Sequence, residues 1–191
     1  MRCFIAIDID QNTRAALRSL QSTISERANK AGVKKSDVKW VQPEATHLTL
    51  KFLGEVEDNK IAEVCDIVKE IAANHESFEI AIESVGCFGG RSARVLWVGT
   101  GEGKEHVHRL QMELEERLLS VGWPKESREF SAHLTLCRIR NSKAGLKLAQ
   151  ISEDYKNFKI GSIFADSISV YQSQLKPSGP VYIVLGNYKM S

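Results

Sequence analysis

Apolar and polar residues along the chain follow two rhythms, one of period two and one near 3.6, which separate strands from amphipathic helices. The opening run RCFIAIDI reads as a buried strand. A helix is predicted from about Thr13, where Leu17, Leu20, Ile24 and Ala28 fall on one face. VKWVQPEAT leads into HLTLKFLG, a strand, and Asp58 is placed to cap a helix with the stripe Ile61, Val64, Cys65, Val68 and Ile71. FEIAIESVGCF alternates as a strand does, and ARVLWVG is a second apolar strand. Val107, Leu110, Gln111, Leu114, Leu118 and Val121 mark a third helix. After REFSAHLTLCRI, Ser142 to Ile151 is a weaker helix. FKIGSIFADSISVYQS reads as one or two strands, and VYIVLGNYKM as the last.

The tetrapeptide HLTL stands at 47–50 and again at 133–136, 86 residues on, in matching flanks. His and Thr are scarce in the chain, so the recurrence marks a duplication. The repeat halves run roughly over 1–88 and 89–191, each as strand, helix, HxTx strand, helix, strand. The glycines of CFGGRSAR suit the joining loop. The expected fold is α+β and bilobal: a single domain over 1–191 made of a pseudo-twofold duplication. Two mainly antiparallel sheets would face each other across a cleft, with helices on the outside.

Composition adds boundaries. The 191 residues are 42% hydrophobic and 26% charged, which excludes a disordered tail, a collagen-like rod and a disulfide mini-protein. A net charge of +2 permits an anionic ligand without announcing nucleic acid. No run reaches the roughly 18 apolar residues of a membrane span. MRCFIAIDID ends its apolar stretch at Asp8 and Asp10, as a buried strand does and a signal peptide does not. Cys3, Cys65, Cys87 and Cys137 form no CxxC pair and read as reduced thiols of a cytoplasmic protein.

On a strand, His47 and Thr49 share one face and Leu48 and Leu50 the other; His133 and Thr135 stand likewise against Leu134 and Leu136. With the leucines in the core, two imidazoles and two hydroxyls enter one space. A histidine pair near its ordinary pKa supplies an acid and a base at neutral pH, and a Thr hydroxyl donates to a phosphate oxygen. This chemistry is metal-independent phosphoryl transfer with in-line attack. Two rivals stand beside it. Each His and Thr could be in its strand for packing alone, and His is also a zinc ligand, although no Cys, Asp or Glu completes a set on the same strand faces.

RCFIAIDI, VKWVQPEATHLTLKFLGEV, RVLWVG, REFSAHLTLCRIR and ISVYQSQLKPSGPVY together resemble the two-histidine phosphoesterase family, over nearly the whole chain. Within it they are most similar to the RNA 2′,3′-cyclic phosphodiesterases of archaea and bacteria, once described as 2′–5′ RNA ligases. The resemblance implies hydrolysis of a 2′,3′-cyclic phosphate at an RNA 3′ end to a 2′-phosphate, in RNA processing such as that of tRNA. It implies His47 as donor to the leaving 3′ oxygen, His133 as the base that activates water, and Thr49 and Thr135 as phosphate contacts. Ser131-Ala132 departs from the family, in which a Pro often precedes the second His.

Around the motifs, Lys51 continues the face of His47 and adds charge to the phosphate, or is a solvated lysine. Arg138 matches an arginine of the resembling proteins, yet alternation puts it opposite His133 unless the strand bulges or the side chain reaches around the rim. Cys137 shares the His133 face and reads as a small apolar filler. Phe4, Tyr171 and Trp40 either stack on a base or belong to the core. Ser173 is near the family's cleft by resemblance, or forms a turn. Lys30, Lys34, Lys35 and Lys39 touch RNA or are merely solvated, and His75, His106 and His108 are read as surface residues. No cofactor or metal is expected. The expected partners are RNA 3′ ends or short oligonucleotides with a 2′,3′-cyclic phosphate, met by a monomer away from membranes. End-joining at the same site and non-catalytic binding of RNA ends are the alternatives. With no P-loop or nucleotide-activating lysine motif, joining would not be ATP-driven.

Overall fold

In the computed structural model, which describes residues 1–177 and 179–191, each rhythm becomes the element it predicts. The described residues contain nine strands and four α-helices: β1 (Arg2–Ile7), α1 (Gln11–Lys30), β2 (Val38–Trp40), β3 (Leu48–Glu55), α2 (Ile61–Asn74), β4 (Phe78–Phe88), β5 (Val95–Thr100), α3 (Lys104–Leu119), β6 (His133–Ile139), α4 (Ser142–Glu153), β7 (Lys159–Ala165), β8 (Ser167–Lys176) and β9 (Gly179–Lys189). Asp10 caps α1, its carboxylate accepting from the Thr13 N–H at 2.8 Å, and Asn141 caps α4 through the Ala144 N–H at 2.9 Å. Asp58 does not cap α2. It opens a 3₁₀ turn, Asp58–Lys60, that runs on into Ile61 at φ −62° and ψ −40°, and a residue inside a helical run lacks the extended backbone a cap needs.

Two antiparallel sheets form, in the orders β3-β1-β8-β9 and β2-β6-β5-β4-β7. The repeats trade strands between them. β2 and β4, from the first half, lie in the second sheet, and β8 and β9, from the second half, complete the first. Helices are traded too: α2 and α3 cover the first sheet, while α1 and α4 cover the second through β7 and β4. The glycine loop does join the halves, as the tip of the β4–β5 hairpin inside one sheet, with Gly89 and Gly90 at φ 109° and 64°. The sequence repeat and the spatial lobe therefore have different boundaries.

One apolar cluster runs through both sheets and includes all four motif leucines: Leu48 and Leu134 are fully buried, Leu50 and Leu136 nearly so. Burying one such side chain stabilises by about 1.5–3 kcal/mol, so the leucines fix which face of each motif strand turns inward. A separate small cluster of Phe4, Ala6 and Tyr171, flanked by Tyr182, lies on the other face of the first sheet. Among the described residues, no helix is long and apolar enough to cross a membrane.

Candidate active site

His47 and Thr49 sit at the start of β3, and His133 and Thr135 at the start of β6, each half-buried on the face opposite the leucines. Both strands then carry a bulge at the same place. Ala6 pairs with Thr49 and Ile5 with Lys51, leaving Leu50 unpaired; Trp97 pairs with Thr135 and Leu96 with Cys137, leaving Leu136 unpaired. An extra residue shifts the alternation by one. Lys51 and Cys137 thus turn into the core, 3% and 0% exposed, while Phe52 and Arg138 turn to the histidine face. Arg138 is exposed, and its charge bears on His133 and on Tyr182 of the other sheet.

The two histidines have different neighbours. One step beyond the Ile7–Leu48 pair, Asp8 Oδ1 lies 3.4 Å from His47 Nε2. Asp8 is itself held: it accepts from Tyr171 at 2.5 Å and from Ser169 at 3.0 Å, and Asn187 donates to Ser169 at 2.8 Å. The equivalent pair in the second sheet sets Gly99 against His133, with no carboxylate. His133 Nδ1 instead bonds the Ser131 carbonyl at 2.7 Å. A carbonyl only accepts, so Nδ1 carries the proton and the lone pair of the neutral ring is on Nε2. Burial pulls both imidazoles below their ordinary pKa. At His47 the Asp8 charge and the Ala45 backbone oppose the fall and Arg14 adds to it; at His133 the Ser131 carbonyl opposes and Arg138 adds.

The same duplication is visible by comparison with known proteins. The sequence matches the LigT-like phosphoesterase family twice, over residues 7–97 and 98–182, one match for each HxTx strand. The chain belongs to the LigT-like phosphoesterase family. It is 32% identical to the RNA 2′,3′-cyclic phosphodiesterase of Methanothermobacter thermautotrophicus and 34% to that of Archaeoglobus fulgidus, covering 95% of this chain in both and 95% and 96% of the relatives. Among solved structures, E. coli LigT complexed with 3′-AMP has the same fold, with a TM-score of 0.79 at 21% identity over 100% of this chain and 98% of that one.

Other residues of this LigT-like chain lie where the sequence did not put them. Lys51 is not on the histidine face. Its ammonium donates to Glu115 at 2.7 Å and to the Pro124 carbonyl at 2.9 Å, in the core, because the bulge reverses its direction. Cys137 is the filler expected of it, and burial pushes its thiol up to about 12. Phe4 and Tyr171 stack on each other at 5.1 Å and are each only 5% exposed, so they form the floor beneath His47. The aromatic surface left open on that sheet is Phe52, 59% exposed on one side of Phe4, and half-buried Tyr182, edge-on to Phe4 at 4.9 Å. Ser173 pairs with Tyr182, putting both on this face. Trp40 pairs with Cys137 at the far edge of the second sheet. Lys30, Lys34, Lys35 and Lys39 are exposed, His75 pairs with Glu113 at 2.8 Å, and His106 meets Arg109 at 2.8 Å. Sequence reading missed Asp8, Phe52, Tyr182 and Trp97. Asp8 had one usable signal, a charge ending an apolar strand that pairs with the first motif strand.

Proposed function

We propose that this chain hydrolyses RNA 2′,3′-cyclic phosphate ends to 2′-phosphates without a metal ion, with His47 as acid and His133 as base. The observation that carries the reading is the broken symmetry of the two motif strands. A carboxylate beside His47 favours its protonated form, which a donor needs. A bare glycine beside His133, with Nδ1–H committed to a carbonyl, leaves a neutral ring with Nε2 free to accept. In this reading His133 Nε2 takes a proton from water, and the water oxygen bonds to phosphorus. The bond from phosphorus to the ribose 3′ oxygen breaks, and His47 gives that oxygen its proton. Thr49, Thr135 and Arg138 hold the non-bridging oxygens as charge shifts, and the 2′ oxygen keeps the phosphate. One chain supplies both motif strands, so a monomer suffices. Among the described residues no cluster of three His, Cys, Asp or Glu side chains is arranged to hold an ion.

The test is incubation with a dinucleotide ending in a 2′,3′-cyclic phosphate in excess EDTA, followed by chromatography. A dinucleotide 2′-phosphate is expected. Joined dinucleotides would favour end-joining, unchanged substrate would leave only RNA-end binding, and activity that EDTA abolishes and a divalent ion restores would overturn the metal-free mechanism.

A further inference from the structure

A cavity of about 870 Å³ opens beside His133, between the second sheet, the first turns of α3 and the segment leading into β6. It is lined by Ser84, Trp97, Thr100, Lys104, His108 and Arg109. On the first sheet the position equivalent to Gly99 is Asp8, hydrogen-bonded to Ser169 and Tyr171. Trp97 pairs with Thr135 and shares the histidine face. It lies on a bed of two glycines: a Cβ at Gly86 would come within 2.4 Å of the indole and one at Gly99 within 3.1 Å. Larger residues there would push the ring off the sheet. Ser84, on a bulge of β4, is the described non-glycine residue with positive φ, 67°, and such backbones gather at functional sites. The lining of the cavity thus offers a flat ring against the sheet, hydroxyls, and the exposed cations Lys104 and Arg109.

We propose that this cavity is a second nucleotide subsite. It takes the nucleotide that precedes the cyclic-phosphate terminus, its base stacked on Trp97 and its phosphate at Lys104 and Arg109. The inference rests on the RNA-end reading above. The terminal nucleoside lies toward His47, where its 3′ oxygen leaves, against Phe52 and Tyr182, and the chain crosses the phosphate centre to reach the second platform. Stacking on an aromatic ring tolerates any base, and Glu105 and Glu129, also at the cavity, offer acceptors to exocyclic amino groups. A pocket of several hundred Å³ is the size class of a nucleotide.

The test compares a cyclic-phosphate mononucleotide with the corresponding dinucleotide, and reads indole fluorescence with their 2′-phosphate products. The dinucleotide is expected to have about tenfold or more higher kcat/KM. Lys104→Glu with Arg109→Glu should bring that ratio close to one, with the mononucleotide as internal reference. The dinucleotide 2′-phosphate should quench the indole emission of the wild type and lose that quench in Trp97→Phe, while the mononucleotide product quenches little. Equal quenching by both products would put the terminal base on Trp97 and overturn the proposal. So would an unchanged ratio in the double variant. If neither substrate is hydrolysed, the catalytic reading has failed, and the quench still reports on the cavity by itself.

Discussion

Asp8 and Arg138 act on opposite members of the histidine pair, and their removal should leave different signatures in pH. The Asp8 charge holds the His47 pKa up, so Asp8→Asn lowers it and empties the acid of its proton earlier as pH rises. The loss in kcat/KM should grow toward alkaline pH, reaching about tenfold to a hundredfold there. The Arg138 cation holds the His133 pKa down, so Arg138→Ala raises it and protonates the base earlier as pH falls. Without the guanidinium on the phosphate the variant should be slower at every pH, and its deficit should grow further toward acid. Initial rates at low substrate from pH 5 to 9 check both, and an Asp8→Asn profile whose acid limb, rather than its alkaline limb, moves to lower pH would reverse the roles. His47→Ala and His133→Ala should each lose about 10²–10⁴-fold, without adding, while Thr49→Ala and Thr135→Ala should cost about 1–3 kcal/mol each. The four motif residues were legible because strand alternation and a repeated tetrapeptide determine them. The carboxylate beside His47 was not, since Asp8 comes from the end of a strand some 40 residues away in sequence.

The bulges act at the scale of the element. In one-letter code, TLKF and TLCR both read as unbroken alternation, which puts Lys51 and Cys137 on the site face and Arg138 behind it. One unpaired leucine in each strand reverses all of these positions. A bulge is a backbone event decided by pairing with the neighbouring strand, so the side-chain pattern alone leaves its place open. Its consequence in β3 is a buried ion pair. Glu115 accepts from Lys51, from Gln111 at 3.1 Å and from the Glu126 N–H at 3.2 Å, tying the strand to α3 and the loop after it. Lys51→Ala leaves a buried carboxylate without its cation and should destabilise by about 3–5 kcal/mol in urea unfolding. Lys51→Met with Glu115→Leu should recover most of that loss. The folded fraction of Lys51→Ala should hydrolyse at the wild-type rate, because its ammonium lies behind the active face; a hundredfold loss per folded molecule would return Lys51 to the phosphate site.

At the scale of the molecule, the duplication was legible and the exchange of strands was not. FEIAIESVGCF satisfies either sheet equally well, because alternation states that one face is buried without naming the partner that buries it. The exchange has a mechanical consequence: each half contributes to both walls of the cleft, so the walls share one core and cannot separate as independent lobes. Two similar strands are thereby held on one core, and in the proposed mechanism the residues that differ between them, Asp8 against Gly99 and Phe52 against Arg138, divide the chemistry. That division is the central claim, and one substrate tests it most directly. With sulfur in place of the 3′ oxygen of the cyclic phosphate, the leaving group is a thiolate that needs no proton. On this substrate His47→Ala should return close to the wild-type rate and His133→Ala should remain as slow as on the oxygen substrate. Rescue of His133→Ala instead, or of neither variant, would contradict the assignment of acid and base.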